Sequence, residues 1–385
     1  MIKSLKNTVE DTFIEKFNTK PIVVCSPGRI NLIGEHTDYN MGFVLPAAID
    51  KAMYMAIAKR NDDTINLFAL DLNDSFSTTI SNYTQSDKEW PNYMIGVVDE
   101  LLKMGKKLGG FNAVFAGDVP LGAGLSSSAA LECATVFALD NIFNLGLSQL
   151  QMAQIAQMAE REFVGVKCGI MDQFASVFGK KNHVIKLDCR SLAYEYVPFN
   201  LAGIKIVLFD SMVKHSLASS EYNVRSQQCQ QGVVLIQQKY PEVNTLRDAT
   251  IQMVDECLSQ GDIKIYNRCK FVVEEITRLQ AACQYLTAGN LAAFGQQMYQ
   301  THQGLSQLYE VSCPELDFIA SCAQQETDIL GARMMGGGFG GCIIALVNEH
   351  ATTQIIERIK NAYHTQLGKQ MKVYEVNIEN GTRLV

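Results

Sequence analysis

Apolar residues recur about every four positions near the start of the chain, at Leu5, Val9, Phe13 and Phe17, and this spacing predicts an amphipathic helix over 5–18. Short apolar runs then predict strands at 22–26, 43–49, 52–58 and 64–70. A helical period returns over 91–107, with Ile95, Val98, Leu101 and Leu102 on one side. FNAVFAGDVP reads as a strand ending at Pro120, and ALECATVFALDNIF as a helix. Another helix is expected over 148–163, followed by a loop, VGVKCGIMDQ, and strands within 183–199. A second set of elements begins with the strand IKIVLFD at 204 and continues through a Ser-rich loop to a polar helix over 219–238. Helices at 262–285 and 290–307 follow, then a glycine-rich turn before the strand CIIALV, and a closing strand MKVYEVNI. Strand and helix are mixed without strict alternation, which favours α+β over a doubly wound sheet. The expected layout is two domains, 1–200 and 201–385, each with a mixed sheet and flanking helices.

Composition narrows the class. At 385 residues the chain exceeds what one small core organises. With 47% hydrophobic and 19% charged residues it is an ordinary globular sequence. The net charge of −7 and the lack of a long Lys/Arg run argue against nucleic acid or an anionic membrane as partner. The 11 cysteines are scattered singly with no CxxC, as expected of small core residues in a reduced compartment. The mixed-charge N-terminus lacks an apolar export signal, and no apolar stretch reaches membrane-spanning length. The expectation is a soluble, cytoplasmic monomer.

Three segments stand out against that background. In SPGRINLIGEHTDYN (26–40), Arg29, Glu35, His36 and Asp38 fall within ten positions among Ile30, Leu32 and Ile33. A merely solvated turn does not account for apolar neighbours that pull the segment inward. In PLGAGLSSSAALE (120–132), Gly122 and Gly124 allow a tight turn and close backbone approach, and three serines then open a helix. Free N–H groups and the positive end of the helix dipole so placed suit phosphate. No GxxxxGK[ST] motif occurs, so phosphate is held without a Walker lysine. The run GGGFGG at 336–341 contains GxGxxG but precedes a strand, so it fails as a dinucleotide fingerprint and reads as a close-approach turn or a structural hairpin.

Together these three segments resemble the GHMP kinase superfamily, and GRINLIGEHTDYNMGFVLP is similar to the signature of the galactokinase family. The segments VGVKCGIMDQF (164–174) and SLASSEYNVRSQQC (216–229) share that similarity, which runs from about residue 20 to the C-terminal strand. The resemblance implies a two-domain fold with the site in the cleft between domains. It implies transfer of the γ-phosphoryl group of ATP to the 1-hydroxyl of D-galactose, with Mg²⁺ as cofactor. It implies that Glu35, His36 and Asp38 hold sugar hydroxyls, with backbone help near Thr37 and Gly169 and a contact from Tyr222. Gly122, Ala123, Gly124, Leu125, Ser126, Ser127 and Ser128 would cradle ATP, with Ser128 and Glu160 as metal ligands. Asp172 would face the reacting hydroxyl, and Arg29 beside it would stabilise charge on the phosphoryl group. Kinases for N-acetylgalactosamine or L-arabinose, and a non-catalytic galactose/ATP sensor, are the competing readings. Trp90 and Tyr93 fit either an adenine pocket or core. Lys214 and His215, in the loop after the strand at 204, receive no role.

Overall fold

A computed structural model of the chain describes residues 4–120, 122–199, 201–213 and 218–385, without the side chains of 218–220; Leu121, Lys214 and His215 lie outside the described residues. Three sheets organise it. The largest has six strands in the order β13 (Arg383–Leu384), β1 (Ile22–Asn31), β3 (Pro46–Lys59), β6 (Phe111–Gly117), β4 (Thr64–Ala69) and β5 (Asp74–Thr79). The second runs β10 (Ile329–Met334), β11 (Cys342–Asn348), β9 (Ile204–Asp210), β12 (Lys372–Val376), and the third β2 (Phe43–Val44), β7 (His183–Asp188), β8 (Tyr194–Pro198). The helices are α1 (Leu5–Phe17), α2 (Glu89–Lys103), α3 (Ser127–Phe143), α4 (Gln149–Met158), α5 (Met171–Phe178), α6 (Ala218–Gln237), α7 (Ile251–Leu258), α8 (Ile263–Thr287), α9 (Leu291–Gln307), α10 (Pro314–Gln325) and α11 (Thr352–Leu367). The six-stranded sheet is mixed, through its parallel β4–β6 pair, whereas the second and third sheets are antiparallel, not mixed as expected for the second half. Sheets with helices around them still make the α+β class expected from the sequence.

Helix α3 is largely apolar, and Ala129 to Val136 are buried without interruption, Glu132 and Thr135 included, as in a helix lodged inside a core. One continuous core joins the two halves: Val24, Ile57 and Leu131 belong to the same cluster as Leu279, Phe294, Met335 and Ile344. The end of the chain returns to the first sheet, where β13 pairs with β1 through Val24–Leu384 and Cys25–Arg383. The Ser26 hydroxyl lies 2.9 Å from that of Thr382.

Three local expectations need correction. The runs 43–49 and 52–58 are not two strands: Pro46–Lys59 is one 14-residue strand with Phe43–Val44 ahead of it. The polar Asp50 and Lys51 within it are only partly buried, Asp50 bonding Asn377 and Lys51 pairing with Asp118 at 3.5 Å. The first strand does not stop at Ser26 but continues to Asn31 through a bulge between Pro27 and Arg29, so Arg29 stands on a strand rather than a loop. The segment expected as a loop before Gln173 ends in a helix, and Asp172 occupies the first turn of α5. Among the described residues no helix is long and apolar enough to cross a membrane, and the cysteines are unpaired.

Candidate active site

The bulge in β1 sets the geometry. A side chain at Gly28 would meet the Leu125 carbonyl, so glycine there lets the strand dock on the serine loop, where the Arg29 N–H donates to Leu125 O at 3.2 Å. The guanidinium then reaches inward. Its Nε and Nη2 donate to Asp172 Oδ1 and Oδ2 at 2.7 and 2.8 Å, and its Nη1 donates to the Gly124 carbonyl at 2.5 Å. Ser126 Oγ donates to Asp172 Oδ2 at 2.5 Å. Burial works against the Arg29 charge, but Asp172, with Glu35 and Asp38 behind it, outweighs that and keeps the guanidinium protonated.

The serine loop turns at Gly122 and Gly124, both at φ 76°, and at Ser126, at φ 57°. Ala123 and Leu125 turn their side chains into the core, which leaves the loop backbone to face the cleft. Ser127 opens α3, and Ser128 Oγ donates to Glu160 Oε1 at 3.2 Å. Glu160 is buried, on a π-helical turn over Ala159–Val164 that follows α4. Glu160 continues the buried stripe of Met152 and Ala156, while Glu162 stays in solvent. Burial, then Asp172, pushes the Glu160 carboxyl up to about 7. The glycine turn after β10 packs on this loop: a Cβ on Gly124 would lie 3.2 Å from Met335 O, and one on Gly341 would lie 3.4 Å from Ala123. The run GGGFGG is therefore both the β10–β11 hairpin turn and a close-approach surface.

On the other side of Asp172, a cavity of about 220 Å³ is lined by Arg29, Glu35, His36, Asp38, Gly169 and Tyr222, with Glu160, Gly336 and Gly337 at its margin. His36 sits in the left-handed region at φ 61°, held by Asn40 Nδ2 donating to its carbonyl at 2.9 Å. Burial, followed by the charges of Arg225 and Arg333, lowers its pKa to about 3, so the imidazole is neutral. Thr37 turns away, its Oγ1 donating to the Gly34 and Phe43 carbonyls at 2.9 and 2.5 Å. Three carboxylates and a guanidinium around a hexose-sized space can hold a polyol by many hydrogen bonds, directly beside a loop suited to phosphate.

Burial, then the neighbouring Asp172, raises Asp38 from the ordinary 3.8 to about 7. A folded-state carboxyl with a raised pKa contributes stability that is complete below about pH 4 and is lost as pH rises through 7. Each tenfold weakening of its acidity is worth about 1.4 kcal/mol. In the ligand-free protein, the Tm difference between the native chain and Asp38→Asn should therefore shift in favour of the mutant from pH 4 to 8. A pH-independent difference, read by differential scanning fluorimetry, would refute the assignment.

Several residues of the site escaped the sequence reading. Glu35 Oε1 accepts from Arg333 Nη2 at 3.1 Å and from the Gly336 N–H at 2.8 Å. Arg333 is fully buried and also donates to the carbonyls of Asn31, Leu32 and Met334. Glu275 of α8 accepts the Gly34 N–H at 2.8 Å, so two anchors from the second half of the chain hold the 34–38 loop. Gln173 donates to Glu160 Oε2 at 2.6 Å and to the buried Glu132 at 3.1 Å. The lone arginine in the apolar strand LGARMM was the signal for Arg333; nothing in the pattern marked Gln173. Trp90 packs on Phe115 and donates to Asp74 Oδ2 at 3.0 Å, a place at the core margin outside the cavity.

Comparison with known proteins fits this geometry. The galactokinase galactose-binding signature matches residues 11–59, the GHMP kinase N-terminal domain 92–180, and the GHMP kinase C-terminal domain 280–365. The galactokinase of Roseiflexus sp. is 38% identical over 97% of this chain and 95% of its own. That of Thermotoga maritima is 39% identical over 94% and 99%. The crystal structure of Lactococcus lactis galactokinase complexed with galactose superposes with a TM-score of 0.95 at 33% identity, covering 99% of this chain and all of that one. The Methanococcus jannaschii mevalonate kinase, at 18% identity and a TM-score of 0.69, shares the fold.

Proposed function

The chain belongs to the galactokinase family, and on that premise we propose how its own side chains carry the transfer of the γ-phosphoryl group of ATP to the 1-hydroxyl of galactose. It is an ATP-dependent sugar kinase of the GHMP superfamily. The observation that carries the assignment of roles is the Arg29–Asp172 pair. It stands at the junction of the sugar-sized cavity and the serine loop, bonded to Gly124 and Ser126 of that loop.

Galactose occupies the cavity with its hydroxyls against Glu35, His36, Asp38 and Tyr222 and the backbone near Thr37 and Gly169. The 1-hydroxyl faces Asp172, which orients it and accepts its proton as its oxygen bonds to the γ-phosphorus and the bond from that phosphorus to the bridging oxygen breaks, releasing ADP. ATP lies along the loop from Gly122 to Ser128, its phosphates received by backbone N–H groups and the start of α3. Arg29 stabilises the charge that spreads over the phosphoryl oxygens, the main demand of such a loose transition state. Ser128 and Glu160 fit a magnesium ion: a hydroxyl and a carboxylate 3.2 Å apart are hard oxygen donors, and a cation relieves the burial that raises Glu160. A magnesium ion keeps several waters and takes phosphate oxygens, so two protein ligands would be enough. When bound, that ion neutralises phosphate charge.

The test is coupled ADP release from Mg-ATP with galactose, N-acetylgalactosamine, L-arabinose and glucose in turn. Galactose-dependent turnover, lost on chelating the metal and absent with glucose, is expected. Galactose binding without turnover would replace the kinase with a sensor. The sugar contacts have their own test. A Cβ on Gly169 would collide with the Asp38 carboxylate, so Gly169→Ala should raise the galactose KM by about tenfold, roughly 1.4 kcal/mol, through local overpacking. Initial rates at saturating ATP measure it, and an unchanged KM would remove Gly169 from the sugar contact.

A further inference from the structure

Behind the sugar-facing wall runs a hydrogen-bonded row that joins the two halves of the chain. His36 Nδ1 lies 2.9 Å from Tyr39 OH, Tyr39 OH lies 2.7 Å from Tyr309 OH, and Tyr309 OH lies 3.2 Å from Cys229 Sγ. All four residues pack as one cluster, with the His36 and Tyr309 rings 4.9 Å apart and Tyr309 and Cys229 buried. The opposite nitrogen, His36 Nε2, is buried with no partner at full hydrogen-bonding geometry among the described residues, the Gly337 backbone lying close to the ring, on a residue that lines the cavity.

A neutral imidazole carries one N–H and one lone pair, and the partner of one nitrogen decides the role of the other. Two directions of the row are conceivable. If His36 donated from Nδ1, the phenol protons would pass outward and the last would fall on sulfur, a weak acceptor. In the reverse direction the Cys229 thiol donates to Tyr309, Tyr309 to Tyr39, and Tyr39 to the Nδ1 lone pair. Every link then ends on oxygen or on an imidazole nitrogen. A phenol is also the more acidic donor and imidazole the more basic acceptor.

We propose that Tyr39, backed by Tyr309 and Cys229, fixes His36 in the tautomer bearing its proton on Nε2, so that His36 serves as a hydrogen-bond donor to a sugar hydroxyl oxygen. The cavity makes this chemically useful. Glu35, Asp38 and Asp172 supply acceptors, and each sugar hydroxyl donates only once, so its oxygen needs a donor in return. An N–H at this point satisfies one hydroxyl oxygen that carboxylates cannot, and leaves no orphaned donor once sugar is seated. Tyr39 and Tyr309 are thus positioning residues, acting on sugar through His36.

The donor role rests on the galactokinase reading; the tautomer does not, and the experiment separates them. Long-range ¹H–¹⁵N correlation on the ligand-free, ¹⁵N-labelled protein, with its 6 histidines assigned by substitution, reads which His36 nitrogen bears the proton. Expected are a protonated Nε2 and an unprotonated Nδ1 in the native chain, and a mixture in Tyr39→Phe. A proton on Nδ1, or a tautomer that Tyr39→Phe leaves untouched, overturns the proposal. Kinetically, Tyr39→Phe should raise the galactose KM by about three- to tenfold, the loss of one well-placed hydrogen bond, with kcat and the ATP KM nearly unchanged. Tyr309→Phe should have the same sign and a smaller effect. A Tyr39→Phe protein whose galactose KM is unchanged overturns the donor role even if the tautomer is as stated. Failure of the native chain to bind galactose would instead reject the functional reading and leave the tautomer result standing.

Discussion

Asp172→Asn should lower kcat by a factor on the order of 10²–10⁴, the usual share of a positioned acid–base group, while the galactose KM changes at most a few-fold. Asparagine is the informative replacement because it keeps the size of the side chain and one oxygen for Arg29 and Ser126. Alanine would leave a guanidinium that is 5% exposed without its counter-charge, bonded among the described residues only to the Gly124 carbonyl, and misfolding would then blur the kinetics. Loss confined to kcat identifies an interaction made at the transition state rather than in the bound substrate. Steady-state rates with both substrates varied, beside a circular dichroism spectrum showing an intact fold, decide the matter. A variant that retains near-native kcat would reduce Asp172 to a structural counter-ion of Arg29.

The second large effect belongs to a residue that touches no substrate. Arg333→Met should destabilise the protein by about 3–5 kcal/mol, the cost of leaving one member of a buried ion pair alone. It removes the counter-charge of Glu35, itself 2% exposed, and strips the Asn31 and Leu32 carbonyls of their donor. Because Glu35 is then free to turn, the galactose KM should also rise by more than about tenfold. Adding Glu35→Gln should recover part of the stability but none of the affinity, since the lone charge disappears while the sugar contact stays broken. Denaturant unfolding and sugar kinetics on the single and double variants test both halves of this. An Arg333→Met protein as stable as the native chain would mean that solvent or another cation reaches Glu35.

The sequence made the chemistry of the site more legible than its architecture. Apolar period and turn chemistry located α1, α3, β6 and β9 closely, because each buries one continuous face and ends at a clear signal. They failed at β1, where Pro27 and Gly28 read as a stop; the strand survives because its bulge presses Gly28 against Leu125 across the fold. They left Glu160 and Glu162 undistinguished, although Met152, Ala156, Ala159 and Phe163 mark the buried stripe that Glu160 joins. Asp172 came from the family resemblance, whereas Arg29, Glu35, His36 and Asp38 were legible because charged residues among apolar ones are costly unless used. Their partners were not. Tyr309 and Arg333 lie 270 and 298 positions from the residues they hold, and no local pattern encodes such a distance. Most individual roles, the choice of Glu160 over Glu162 among them, came from family resemblance rather than from the residues alone.

The pairing of the last strand with the first has a consequence for biosynthesis. Ser26 and Thr382, 356 positions apart, share a hydrogen bond. At elongation rates of ~5–20 residues per second, the strand carrying Arg29 waits about 20–70 s for that neighbour. Until then its outer edge offers unpaired N–H and C=O groups beside a forming core, an open template for other nascent chains. Slowing elongation at constant temperature should therefore favour aggregation of ribosome-bound chains, and a holdase that covers a β edge should be of more use to this protein than one that only speeds late packing.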